Sequence, residues 1–522
     1  MQKRPATWKP SKDQLVNAAM VVLILYTMVR STFRAGLKLF WYDELCTWVV
    51  ATLPSPSAIW NALLRAADSQ APAFYLLESW MAKLVPNQQI AYRLPSIVAG
   101  GITLACLFVW MKRRYSPPVV LVSILIPLLT VFDSTYTVEA RAYALVMACL
   151  AFALICYDRL PAIGWVVGLA ISLAVAESLY YYAIIAMLPF VAAEALYVWK
   201  KRTVRWAVWG ALACGPLPLL FFWPLLVNFK AYYGQNFWAK PTMTKAFGTF
   251  GWLFGMPLDA TKTVTTTTVA LVVAIAAIGA ALYFLAKSFR ASQGDPRFLD
   301  GLQISAFLLL PIIFFLVTKP THAGFTERYA LPVVLGVTLA AGYGLSCLSK
   351  RTLYLVSGLI FLCFLSQELS FWTTYRLARA LHGIGQKPIE QLVSAAGHRD
   401  LPVMVTAAND FLQLSYYATP TWKARFVSVV DPPGALKYSI TDGVDKELQV
   451  LRQLKPLNVV DYADFRKKYD AFLVCSIPFR IPWNNDPDWW IVKLQADGYN
   501  VTKLRTDGRH SVYLAELPRK AD

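Results

Sequence analysis

The run Leu15-Val16-Asn17-Ala18-Ala19-Met20-Val21-Val22-Leu23-Ile24-Leu25-Tyr26-Thr27-Met28-Val29, followed after a short basic stretch by Trp41-Tyr42-Asp43-Glu44-Leu45, decides how the chain is read. A helix that crosses a bilayer needs about 20 mostly apolar residues, and the stretch near 14–34 meets that length. Two adjacent carboxylates just beyond it are costly at a membrane boundary, and residues of that kind are usually retained for a function. Working outward, the same length criterion places spans near 91–111, 117–134, 139–157, 162–179, 181–199, 206–227, 267–287, 302–318, 328–348 and 352–372, about eleven with the first. Of the 522 residues 57% are hydrophobic and 16% charged, against roughly 45–50% and 25% in soluble chains. The expected fold is a polytopic α-helical membrane protein.

The charges sort by connection. Alternate connections are basic: the N-terminal segment, Lys112-Arg113-Arg114, Asp158-Arg159, Lys200-Lys201-Arg202, Lys287 to Arg297, and Lys350-Arg351. The connections between them carry acids and aromatics: Asp43-Glu44, Asp133 to Arg141, Glu177, the segment 228–266, and Lys319 to Arg328. Basic loops stay in the cytoplasm, so the N-terminus is expected there and Asp43 outside. The net charge of +19 is explained by these loops, and no nucleic-acid partner is expected. The segment from Lys3 to Lys12 leads into the first span without a small-residue cleavage site, so no signal peptide is expected.

Two outward connections exceed simple linkers. The first, about 35–90, has helical spacing at Ile59, Trp60, Leu63 and Leu64, with Ser57 placed to cap it, and again from Ala73 to Leu84. The second, about 228–266, is rich in aromatics and reads either as an interfacial belt or as an acceptor-binding loop. The expected domains are thus 1–372, a membrane module with both loops, and 373–522, an extracytoplasmic α/β domain. In the latter, helix-like stretches Pro388 to Ala396 and Asp445 to Leu454 alternate with strand-like runs 402–405, 425–430, 471–474 and 511–514.

The outward side also concentrates short polar motifs. They are Asp43-Glu44, Gln70-Ala71-Pro72-Ala73-Phe74-Tyr75, Tyr92-Arg93-Leu94-Pro95-Ser96, Glu139-Ala140-Arg141-Ala142-Tyr143, and Glu327-Arg328-Tyr329-Ala330-Leu331-Pro332. Arg93, Arg141 and Arg328 each stand near the start of a span. A guanidinium there can hold a phosphate by paired hydrogen bonds, and a carboxylate nearby can take a proton from an attacking hydroxyl or amine. Against this stand plainer roles: snorkelling arginines, or ion pairs with Glu139 and Glu327.

In their order and shared side these motifs resemble the GT-C glycosyltransferases, in particular the protein O-mannosyltransferase and lipid A aminoarabinose transferase group with its bacterial family 39 and 83 relatives. The resemblance covers about residues 10–372, and the trailing external domain fits it. It implies an inverting glycosyltransferase that moves a sugar from a polyprenyl-phosphate donor to a glycan, lipid or protein acceptor outside the cytoplasm. It further implies that Asp43 is the catalytic base, with Glu44 and Glu139 orienting the base or the arginines. Arg141 and Arg328, with Arg93, would contact the donor phosphate, supported by Tyr143, Gln70, Glu327 and Tyr329. One departure stands out: relatives commonly carry a His or Lys followed by two prolines where this chain has Gln70-Ala71-Pro72, and a neutral amide brings no positive charge to a phosphate.

No cofactor is expected to be required. A divalent cation near Asp43 and Glu44 is not indicated, because two adjacent carboxylates are too few to define its site. The eight cysteines show no CxxC spacing; Cys46 and Cys475 alone fall on the outward side, and no disulfide between them is expected. The alternatives are a polytopic transporter, which would place charges at mid-membrane in two related halves, and a non-catalytic binder of lipid-linked sugar. The expected location is a bacterial inner membrane.

Overall fold

The computed structural model describes residues 11–256, 264–292, 298–381, 387–439, 441–477 and 488–518. Part of the aromatic loop (257–263) and the basic residue Arg297 therefore lie outside the described residues. The chain divides into two compact units, one built from 1–36, 93–220 and 241–375, the other from 37–92, 221–240 and 376–522.

Among the described residues six helices are long and apolar enough to cross a membrane: Lys12–Leu37, Gln88–Lys112, Ala183–Lys201, Trp206–Tyr233, Thr267–Arg290 and Lys350–Leu377. Two bent pairs, Pro117–Leu128 with Val131–Val138 (51°) and Phe298–Leu308 with Leu310–Thr321 (56°), raise this to eight if each is one span. The shorter apolar helices Tyr143–Asp158, Ile163–Leu179 and Val333–Ser346 occupy the three other positions where the sequence suggests a span. Length alone thus supports six to eight crossings, and eleven requires that these shorter helices also cross. The bends have local causes. Pro127 lies inside the first helix of one pair and Pro311 at the start of the second helix of the other, and proline removes a main-chain donor and crowds the preceding turn. The hydroxyl of Thr130 then restarts the chain by accepting from the Phe132 amide at 3.3 Å. Large apolar side chains such as Val22, Leu220 and Leu355 stand exposed, as lipid-facing positions of an integral membrane protein require.

In the first unit Arg30 bridges Asp133 and Glu368 inside the protein. Tyr26 donates to Glu368 and accepts from the Trp372 indole at 3.0 Å. Asp133, which the sequence places among the outward acids, is therefore committed to a buried ion network. Gly336 sets one close approach: a Cβ there would meet the Leu308 nitrogen at 2.7 Å and the Phe307 carbonyl carbon at 2.9 Å. Only a residue without that atom lets Val333–Ser346 lie this near the backbone of Phe298–Leu308.

The second unit carries a six-stranded sheet. Its strands are β1 (Val403–Val405), β2 (Phe426–Val430), β3 (Val459–Asp461), β4 (Ala471–Ser476), β5 (Asn500–Thr506) and β6 (Ser511–Glu516), in the order β3-β2-β1-β4-β6-β5. The strands β3, β2, β1 and β4 form three parallel pairs, and β6 pairs antiparallel with β4 and β5. Met404, Val427, Phe465, Phe472, Val474 and Trp490 form the core beside it. The sequence reading finds four of these strands. It misses β3, a short strand with only one of its three residues fully buried, and β5, whose Thr-Lys-Leu-Arg run is largely exposed and lacks apolar alternation.

The loop 37–92 folds with this domain rather than standing as a membrane-module insertion. It forms the helices Tyr42–Ala51, Pro56–Leu64 and Pro72–Leu84. The amides of Phe40 and Tyr42 donate to Tyr417 Oη (2.9 Å) and Asn409 Oδ1 (2.8 Å), and Gln413 donates to the Phe40 carbonyl at 2.7 Å. Trp48 and Tyr416 meet edge to face at 5.0 Å. The cap of Pro56–Leu64 is Ser55, not Ser57: its hydroxyl accepts from the Ala58 amide at 3.2 Å.

Candidate functional site

The two acids of the opening motif have different duties. They occupy the first turn of the helix Tyr42–Ala51, where the helix dipole favours negative charge. Glu44 sits at the third position and reaches back to accept from the Trp41 amide at 3.2 Å. That is the carboxylate half of a capping box, and Glu44 is fully buried. Asp43, one position earlier, is half-buried. The helix start explains Glu44 and leaves Asp43 the acid with access to solvent.

Around Asp43 the fold assembles groups that no local motif announces. Glu447, from the helix Gly443–Leu454, accepts from the Tyr42 hydroxyl at 2.7 Å. Burial and the neighbouring charges of Asp68 and Asp43 push its carboxyl up to about 8, so it holds a proton at neutral pH. The thiol of Cys46 is raised well above its ordinary value by burial and by Glu447, Asp68 and Asp43. Asp68 is buried, and its carboxylate accepts from the Ser69 amide at 2.6 Å. Three carboxyl groups thus share one environment, one of them neutral. Glu78, in Pro72–Leu84, is fully buried with no hydrogen-bond partner for its carboxyl among the described residues. Burial and nearby Glu44 raise it well above the carboxylate range. Gln70 is also buried, its main-chain amide donating to Tyr75 Oη at 3.2 Å. No group of three or more His, Cys, Asp or Glu among the described residues has the geometry to hold a metal ion.

The arginine motifs belong to the other unit, and there several of them meet. Arg93 is fully buried and donates from Nη1 to the Ala35 carbonyl at 2.7 Å, which ties the end of the first helix to the start of Leu94–Lys112. Ser96, from the same Arg-Leu-Pro-Ser run, donates to the Arg141 carbonyl at 3.2 Å, so the motifs of Arg93 and Arg141 are in contact. Arg141 and Glu139 are buried just before Tyr143–Asp158. Arg328 lies in the short helix Glu327–Ala330, with its guanidinium 5.9 Å from the ring centroids of both Tyr143 and Tyr329, a cation–π distance.

Tyrosines surround this group. Tyr143 packs edge to face on Tyr180 (5.3 Å), Tyr180 on Tyr329 (5.8 Å), and Tyr182 stacks on Tyr329 at 4.7 Å. A space of only about 10 Å³ separates them and Arg328, room for a single water. Lys245, in the helix Met243–Trp252, adds a cation that the sequence reading does not single out. Burial lowers its ammonium, opposed by Glu327; burial raises the Glu327 carboxyl, opposed by Lys245 and Arg328. The one available signal was its place in the aromatic outward loop. Asp68 had a comparable signal, two residues before Gln70, whereas Glu447 lies in an amphipathic helix far along the chain and offers none.

A set of apolar helices and a mixed α/β domain, with acids and arginines on the connections, define a polytopic membrane fold of a kind already seen in a solved structure. The particular likeness is to ArnT from Cupriavidus metallidurans. Its crystal structure bound to undecaprenyl phosphate matches 95% of this chain and 97% of its own, with a TM-score of 0.52 and 14% identity. Its apo structure matches 95% of this chain and 98% of its own, with the same TM-score and identity. The sequence matches no protein-family model and no curated protein.

Proposed function

We propose that the protein is an inverting glycosyltransferase that takes a sugar from a polyprenyl-phosphate donor and transfers it to an acceptor on the extracytoplasmic side of a bacterial inner membrane. The observation that carries this reading is the end-to-end likeness of fold to a protein crystallised with undecaprenyl phosphate. The residues support it. Asp43, the solvent-reachable member of the acid pair, acts as base; Glu44 holds the helix start that presents it. Arg141 and Arg328 take the donor phosphate, Lys245 adds positive charge beside Glu327, and Tyr143 and Tyr329 hold the Arg328 guanidinium. Arg93 braces the entry to its span.

In the reaction the acceptor hydroxyl or amine attacks the anomeric carbon as its proton passes to Asp43. The bond from that carbon to the phosphate oxygen breaks, and the electron pair leaves with the polyprenyl phosphate. Charge grows on that phosphate in the transition state, where a fixed guanidinium is worth most. Glu447 and Asp68 keep further carboxyl groups around the base, one of them protonated, so the proton taken from the acceptor has neighbours to pass to. Gln70 brings no cation where relatives carry His or Lys; Lys245, beside Glu327, brings one for the donor phosphate.

The test is transfer from undecaprenyl-phosphate sugars in proteoliposomes, paired with undecaprenyl phosphate binding by native mass spectrometry. Asp43→Asn should lose transfer and keep the lipid. Full turnover in that variant ends the assignment of the base. Lipid binding with no transfer to any acceptor by the wild-type protein selects the non-catalytic binder instead.

A further inference from the structure

One sizeable cavity belongs to neither the acid cluster nor the arginine cluster. It measures about 530 Å³ and is lined by Arg114, Lys287, Ser288, Asp300, Tyr343 and Lys350, with apolar side chains between them. Pockets of 300–1,000 Å³ are the usual size for small-ligand sites. Its charged groups come from the ends of spans, on the connections that the sequence marks as basic: Arg114 after Gln88–Lys112, Lys287 near the end of Thr267–Arg290, and Lys350 at the start of Lys350–Leu377.

The charges do not cancel inside it. Arg114 is matched, donating to Asp300 at 2.7 and 2.9 Å and to Asp158 at 2.6 Å, with its guanidinium 3.6 Å from the Trp110 ring centroid. Lys287 instead rests its ammonium 3.9 Å from the Tyr343 ring centroid. Neither Lys287 nor Lys350 forms an ion pair with a carboxylate among the described residues. Ser288 is buried, and its hydroxyl has no hydrogen-bond partner among the described residues. Two unmatched ammonium groups and an unused hydroxyl are the chemistry of a phosphate oxyanion. The helices that bring the lysines also expose Leu282, Tyr354 and Leu355, surface suited to acyl chains.

We propose that this cavity holds the phosphodiester headgroup of an anionic membrane phospholipid, with its chains along Thr267–Arg290 and Lys350–Leu377. Basic pockets between spans bind such headgroups, and a soluble phosphate shares the oxyanion but makes no use of the apolar flank. The proposal needs only the membrane embedding of the chain and is independent of the reaction argued above.

The experiment is a thermal-melting titration of the full-length protein in detergent micelles with phosphatidylglycerol, phosphatidylcholine as the uncharged-net control, and sodium pyrophosphate as the soluble arm. Phosphatidylglycerol should raise the midpoint saturably. The double variant Lys287→Gln/Lys350→Gln should need about thirtyfold more of it, since each of the two basic residues contributes about 1 kcal/mol. Lys12→Gln/Arg290→Gln, which removes the same charge from positions that do not line the cavity, should titrate as wild type. Equal losses in the two double variants, or none in the first, overturn the proposal. A response to pyrophosphate at lower concentration than to phosphatidylglycerol overturns the lipid as its ligand. Should the lysine double variant fail to fold, Ser288→Val, which removes one donor at nearly constant volume, must weaken the response several-fold for the proposal to stand.

Discussion

Replacing Glu447 by Gln should change the pH dependence of stability more than stability itself. In the folded protein the Glu447 carboxyl is pushed up from an ordinary 4.5 to about 8, first by burial and then by Asp68 and Asp43. An acid whose folded value is raised favours the folded state while it stays protonated. That contribution is whole at low pH and declines as pH rises from about 4.5 to about 8. The full shift of 3.5 units corresponds to about 5 kcal/mol at 1.36 kcal/mol per unit. Between pH 5.5 and 7.5 linkage assigns about 2.5 kcal/mol of that decline. Because Glu447 is only half-buried by its surface, water screens part of the penalty, and we expect about 1–2.5 kcal/mol over this interval. Gln keeps the length of the side chain and can still accept from the Tyr42 hydroxyl, but it does not titrate. At about 2–4 °C per kcal/mol for a unit of this size, the wild-type midpoint should fall by roughly 2–10 °C relative to the variant between those pH values. Asp445, also raised, to about 7, is present in both proteins and cancels in the difference. Thermal melts in detergent across pH 5.5–7.5 measure it, and hydrogen exchange over 42–51 and 443–454 localises it. Parallel pH profiles for wild type and Glu447→Gln would refute the claim that this carboxyl is held protonated.

Other consequences are simpler. Arg328→Gln removes a charge-assisted contact worth about 1.5–3 kcal/mol, so undecaprenyl phosphate binding by native mass spectrometry should weaken by roughly 10- to 100-fold; unchanged binding removes Arg328 from the phosphate site. His510 is bonded through both ring nitrogens to Asp410 and Asp507, each at 3.2 Å, and these acids raise its value against the opposing effect of burial. Its stabilisation is therefore complete below about pH 6.5 and lost as pH climbs through the raised folded value, so His510→Gln should flatten the melting profile above neutrality. Gly336→Ala forces a methyl group against the Leu308 and Phe307 backbone and should cost about 1–3 kcal/mol, read as a lower midpoint with no selective change in the Asp43-dependent reaction.

What could be read from the sequence follows from how far each signal reaches along the chain. Apolar runs of membrane length are local and cumulative, so each suggested span finds a helix; the bends at Pro127 and Pro311 shorten some of them without moving them. Strands of five or six residues with continuous apolar character, β2 and β4, are equally local, whereas β3 and β5 take their place from neighbours and carry no pattern of their own. The acid pair was visible as a pair, but the sequence could not divide it. Only the helix start separates Glu44, spent on the Trp41 amide, from Asp43, left half-exposed. Glu447 lies beyond any such reading, because the charge it feels from Asp43 arises from a fold that brings 443–454 against 42–51. The Gln70 departure is of the same kind. A missing cation in a motif matters only if the fold supplies none elsewhere, and Lys245 contributes one beside Glu327 and Arg328 from a loop the motif does not include. On the proposed reading, Lys245 gives the donor phosphate a cation that the neutral Gln70 does not, a compensation that no alignment of short motifs can register. If Lys245→Met leaves lipid binding intact while Arg328→Gln does not, that compensation fails and the neutral Gln70 stands as a true loss of donor contact.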